Sequence, residues 1–186
     1  MQDDMWAWPL ERHGNYSVKS AYRLLASTRQ MQEDELLPGT SSNNDWKLIW
    51  KLDVPPKVKV FWWRVIHEFL PARQILHKRH IDPIAFCEAC GSEEESVRHV
   101  LLDCTIARLF WSNAKELTSV KIPKLHPTSW ARDLLHNHIC SRKDSAVIIC
   151  GMWTLWMARN KRKHGEPGMT TQQAIFWARD TAYDLW

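Results

Sequence analysis

The sequence predicts an all-α, compact helical domain with a Cys3His zinc knuckle inserted between helices. Three observations lead there. Apolar residues recur at helical spacing in most segments. No stretch alternates with period two, and no strand–helix–strand rhythm or internal repeat is present. Three of the five cysteines and one histidine fall within CEACGSEEESVRHVLLDC, residues 87–104, between two helical stretches.

The elements follow in order along the 186 residues. Residues 1–16, with Trp6, Trp8 and Pro9, read as loop or extended chain. SVKSAYRLLASTRQM reads as a helix capped by Ser17, with Val18, Ala21, Tyr22 and Leu25 on one stripe. QEDELLPGTSSNND, residues 32–45, reads as a flexible surface loop. WKLIWKL (46–52) is one or two helical turns, broken by Pro55-Pro56, because proline lacks an N–H and restricts its predecessor. KVKVFWWRVIHEFL places Val58, Phe61, Trp62, Val65 and Phe69 on one helical stripe, ending at Pro71. Pro71 suits the first turn of a helix over ARQILHKRH.

Ser92-Glu93-Glu94-Glu95 has the pattern of a capping box for a helix carrying Val97, Val100 and Leu101. IARLFWSNAKELTSV is helical to about Val120, and Pro123 and Pro127 mark a connection. Residues 129–138 suggest a short helix. SAVIICGMWTLWMARNKRKHG is a long helix with Ala146, Ile149, Trp153 and Trp156 on one face, ended by Gly165 and Pro167. Thr171 caps the last helix, QQAIFWARDTAYDLW. The length suits one domain, made of an N-terminal helical segment and loop (1–45), a zinc-binding core (46–125) and C-terminal helices packed on it (126–186).

Composition excludes several classes. The chain is 45% apolar and 25% charged, ordinary for a globular domain. The acidic start MQDDMWAWPL has no basic n-region, so no signal or transit peptide is expected. No apolar run approaches the length of a membrane span, so no membrane partner is expected. An intracellular site, cytoplasmic or nuclear, follows, and there clustered cysteines are read as metal ligands before disulfides. The set is Cys87-x2-Cys90-x8-His99-x4-Cys104. Three thiolates and an imidazole suit zinc (Zn2+), fill all four positions and leave none for a catalytic water. The competing readings are a disulfide and plain buried thiols. A complete ligand set at tight spacing favours the metal. Five residues of α-helix turn about 140° beyond a full revolution, so the chain must bend or restart near Cys104 for both His99 and Cys104 to reach one ion. Cys140 and Cys150 lie outside the set and read as core residues.

The sequence resembles the zinc-binding region of plant LINE-type (non-LTR) retrotransposon polyproteins, which lies between the reverse transcriptase and ribonuclease H domains. The resemblance is carried by Trp8 with GNYSVKSAYRLL, by IWKLDVPPKVKVFWWRVIHEFLPARQILHKR, by CEACGSEEESVRHVLLDCTIARLFW and by WTLWMARNKRKHG. It implies that Cys87, Cys90, His99 and Cys104 are the zinc ligands, and that the region is a nucleic-acid-binding or structural accessory.

No enzyme is expected. There is no Asp-Asp polymerase signature, no Gly-rich phosphate loop and no His-Glu-x-x-His, and His77 and His80 lack a third metal partner. After residue 165 the acids are Glu166, Asp180 and Asp184, too few for a two-metal nuclease. A basic stretch is the better lead. Lys51, Lys57, Lys59, Arg64, Arg73, Lys78 and Arg79 face only Asp53 and Glu68 between residues 51 and 80. Such a ridge suits the phosphates of RNA or DNA, with Trp63 stacking on an unpaired base; the bland alternative is a solvated helix face over a buried Trp. The knuckle itself is acidic, with Asp82, Glu88, Glu93, Glu94, Glu95 and Asp103 against Arg98. The run from Arg159 to His164 complements a helix dipole or serves as a weak nuclear signal. Twelve Trp raise a second functional class: a host-recruited module that binds a protein partner, or itself, through a Trp-rich surface.

Overall fold

The computed structural model describes residues 7–36, 47–91 and 94–184. They are helical, with no strand among them and one isolated antiparallel bridge, Phe86 to Glu94. The chain divides into two compact units, residues 1–43 and 44–186.

The first unit is a loop feeding helix α1 (Val18–Leu36). Ser17 caps it as the sequence predicts: its Oγ accepts from the Ser20 N–H at 3.1 Å. The Trp8 indole donates to Ser20 Oγ at 2.8 Å and packs edge-on against Tyr16, which fixes the entry of the chain. Trp6 lies outside the described residues. The helix continues to Leu36, past the expected loop start at residue 32. Gln32, Glu33, Glu35 and Leu36 are good helix formers, and the first strong breaker is Pro38. The rest of the expected loop lies outside the described residues.

The second unit is built around one long helix. Residues 47–50 are helical. They are followed by α2 (Pro56–Ile66), α3 (Arg73–Lys78), a π-helical turn (His99–Asp103), α4 (Thr105–Thr118), α5 (Trp130–Asp133), α6 (Arg142–Lys163) and α7 (Thr171–Tyr183). Helix α6 is the hub, packed against α7, α2 and the π-helical turn, while α4 covers α7 and the same turn. Ser141 caps α6 by accepting from the Asp144 N–H, so the helix starts earlier than Ser145. The expected single apolar face is too narrow. Every residue from Ser145 to Met152 is buried, because partners lie all round. Gly151 permits the closest approach: a Cβ there would lie 2.8 Å from the Trp111 ring of α4.

Other local readings shift for identifiable reasons. Helix α2 buries Val58, Phe61, Trp62 and Val65 as expected, but it ends at Ile66 and leaves Phe69 56% exposed. The Phe69 N–H bonds back to the Arg64 carbonyl at 2.8 Å and the Glu68 N–H to Val65. Glu68 supplies the left-handed residue, φ 55°, that closes this Schellman turn. The cap of α7 is Thr170 rather than Thr171, in a reciprocal capping box with Gln173. Most of the tryptophan goes inside: among the described residues, Trp50 alone is exposed, and Trp62, Trp130 and Trp156 are buried.

Candidate metal centre

The four residues singled out by spacing converge. The Sγ atoms of Cys87, Cys90 and Cys104 and a ring nitrogen of His99 all lie within 4.8 Å of one another. Cys87 Sγ and Cys104 Sγ are 3.8 Å apart, and Cys90 Sγ is 3.4 Å from His99 Nε2. A tetrahedron with zinc–sulfur arms of about 2.3 Å has edges of about 3.8 Å, and a mixed sulfur–nitrogen edge is about 3.6 Å. The donor set and its spacing therefore fit zinc. Cys87, His99 and Cys104 are buried, which suits a closed structural site.

Local chain geometry makes this convergence. After Cys90 the chain reverses at Gly91, φ 71°, whose N–H bonds the Cys87 carbonyl at 2.7 Å. On the other arm, Ser96 caps the turn by accepting from the His99 N–H at 3.0 Å. Ser92 and Glu93 of the expected capping box lie outside the described residues. His99 and Cys104 are then joined by the π-helical turn, closed by the Cys104 N–H on the His99 carbonyl at 2.8 Å. Cys104 itself is extended, ψ 146°, and α4 starts anew behind it. That is the restart the five-residue spacing demands.

Burial pushes the Cys87 thiol up to about 11, although the N–H groups of Cys90 and Ala89 point at its sulfur and pull the other way. A bound divalent ion supplies the positive charge that keeps such sulfurs as thiolates, and the two N–H groups orient the ligand.

A buried ionic clamp supports the knuckle, and it overturns one expectation. Arg73 does not face phosphates. It is buried, donates to the Phe86 carbonyl at 3.3 Å, and pairs with Glu88 and, at 3.9 Å, with Asp82. Phe86 and Glu88 flank Cys87, so Arg73 holds the first ligand arm. Its backbone N–H donates to Glu95 Oε1 at 3.0 Å. Glu95 is buried and paired with the equally buried Arg159 of α6. Lys163 adds a 3.6 Å pair to Asp82. The acidity of the knuckle is thus largely met from within, by Arg73 and by the basic end of α6. Sequence reasoning missed Glu95 and Arg159 as partners, since 64 residues separate them and no local signal joins them.

The remaining basic residues divide. Lys59 donates to the Trp50 carbonyl at 2.9 Å. Lys57 lies over the Trp153 and Trp177 rings at 4.6 and 5.3 Å. Trp63 is half-buried against His67 and Phe69, so its own face is largely taken. Arg64, Lys78 and Arg79 are exposed. Lys78 and Arg79 line a cleft of about 900 Å³ whose lip carries His67 and Phe69 and whose far wall is formed by residues 127–132. Cys140 and Cys150 are buried core residues, as expected. Among the described residues no helix is long and apolar enough to cross a membrane.

Comparisons with known proteins agree with the geometry. Residues 16–111, a span ending seven residues past Cys104, match the family described as zinc-binding in reverse transcriptase. A protein of Arabidopsis thaliana described as a "Putative ribonuclease H protein" is 32% identical over 108 residues, 58% of this chain. The chain spans only 16% of the length of that relative. No solved structure matches.

Proposed function

Because the chain belongs to the family of zinc-binding domains of reverse transcriptases, we propose that it is a non-catalytic accessory, of retrotransposon origin, that binds RNA or single-stranded DNA. Zinc held by Cys87, Cys90, His99 and Cys104 acts structurally, fixing α3 and the knuckle against α6. The observation that carries the reading is the cleft beside α3. Among the described residues, Lys78 and Arg79 line it with no ion pair, and Glu68 is the one acid on its wall. Exposed Phe69, stacked on His67 with ring planes 25° apart, offers an aromatic face at its lip. Such an accessory works inside the cell, in cytoplasm or nucleus.

Fluorescence anisotropy with labelled RNA and single-stranded DNA of about 16 nucleotides tests this. Binding should weaken steeply with salt. Lys78→Ala/Arg79→Ala should lower the slope of log affinity against log salt by about 1.4, since each lost phosphate contact on a single strand removes about 0.7. Undetectable binding of either polymer at low salt overturns the reading.

Exposed Ile81, Ile84 and Phe86 on the knuckle favour a second reading, a protein-binding or self-associating module. Sedimentation at rising concentration separates the two, because a strict monomer with salt-sensitive strand binding leaves only the first.

A further inference from the structure

A second basic cleft adjoins the first. It has a volume of about 550 Å³, and its charged walls are Arg98, Arg108, Lys115, Lys121 and Asp103. Arg108 and Lys115 stand seven residues apart on α4, which puts them on one helical face, and Lys121 reaches in from the connection after α4. None of these three has an ion pair among the described residues. The one acid, Asp103, is taken by Arg98 at 2.9 Å.

Arg98 lines both clefts. Its guanidinium is held by Asp103 and by the Pro127 carbonyl at 3.1 Å, so it stands as a fixed divide between them. Lys78 and Arg79 lie on one side of it, Arg108, Lys115 and Lys121 on the other. A solvated helix face would mix acids among these cations. Here, among the described residues, five cations without ion pairs border two neighbouring hollows that share Arg98, with Glu68 the single acid on the walls outside the Arg98 pair.

We infer that the two clefts form one path for a single strand of nucleic acid. The strand enters beside Phe69 and crosses Arg98. Its backbone then runs on along Arg108, Lys115 and Lys121. This rests on the nucleic-acid reading above and extends it to residues 98–121, which the basic stretch between 51 and 80 does not contain. Phosphates supply the charge the cations lack. An unpaired base supplies the flat face that His67 and Phe69 match, which a duplex keeps hidden in its stack.

Oligonucleotide length is the test, with zinc-loaded full chain, RNA and DNA arms, and strands of about 6 and about 16 nucleotides. Arg108→Ala/Lys115→Ala/Lys121→Ala removes three exposed side chains, and its far-UV circular dichroism and zinc content should match the parent. It should bind the long strand at least tenfold more weakly at moderate salt, with the salt slope lower by about 2, and bind the short strand as the parent does. If that variant equals the parent on both lengths while Lys78→Ala/Arg79→Ala loses binding, the extended path is wrong and the first cleft stands. An equal loss on both lengths also overturns the path. If neither variant loses affinity, both readings fall. Duplex bound as tightly as single strand, in either sugar, overturns the strand assignment.

Discussion

Arg159 and Glu95 exclude water from each other's charge deep against α6, with side chains 8% and 4% exposed. Removing one partner leaves an uncompensated buried ion, which costs about 3–5 kcal/mol, whereas replacing both with apolar groups is often neutral. Arg159→Met should therefore destabilise the zinc-loaded protein by about that much in urea unfolding, and Arg159→Met/Glu95→Leu should recover only part of the loss, since the Arg73 N–H then loses its acceptor. Equal stability of the single and double variants would show that the pair matters only through its bulk. At this scale, legibility tracks distance along the chain. Cys87, Cys90, His99 and Cys104 sit within eighteen residues, and their convergence is legible in that spacing. The inward turn of Arg73 is hidden in the sequence, because composition reports that a residue is charged, not which way it faces. Its acids, Asp82 and Glu88, lie on the next segment and turn it inward.

Among the elements, the π-helical turn depends most on the metal. It is five residues long, and it brings His99 at its start and Cys104 just past its end within 4.8 Å of one another at their donor atoms. A short turn of this kind has little packing of its own to sustain it. Chelation of zinc should abolish amide hydrogen-exchange protection across the knuckle and the turn, while α6 and α7 keep theirs. Cys90→Ser should do the same in zinc-replete buffer. Protection unchanged after chelation would make the ion dispensable. The break between His99 and Cys104 was predictable from helical geometry, because five residues overshoot a turn. Its form was not, since the choice between a kink and a wider turn is made by the hydrogen bond from Cys104 to His99. The early end of α2 was likewise hidden: a left-handed Glu68 closes a turn for which glycine would be the usual signal.

Across the whole molecule, the core around α6 makes stability sensitive to alkali. Burial pushes the Cys150 thiol up to about 12. Below about pH 8.5 the folded and unfolded chains both keep this proton, and the thiol adds no pH dependence. Above that the unfolded chain gives it up and the folded chain does not, so stability falls by about 1.4 kcal/mol per pH unit until the folded thiol ionises. Thermal melts between about pH 8 and pH 11 should decline more steeply for the parent than for Cys150→Ala, and parallel curves would remove Cys150 from the account. The all-helical class was legible because most helices have an apolar stripe. The hub was not, because α6 is wrapped on every side and its stripe disappears into a buried run.

Gly151 carries a consequence beyond α6. The far end of the Trp111 ring occupies the place of its missing methyl, and the near end donates through Nε1 to the Leu101 carbonyl at 2.8 Å, inside the turn between two zinc ligands. The same indole lines the second basic cleft. One rigid bicycle therefore touches the hub helix, the turn and the cleft wall at once, so a side chain added at Gly151 must displace the ring and disturb all three together.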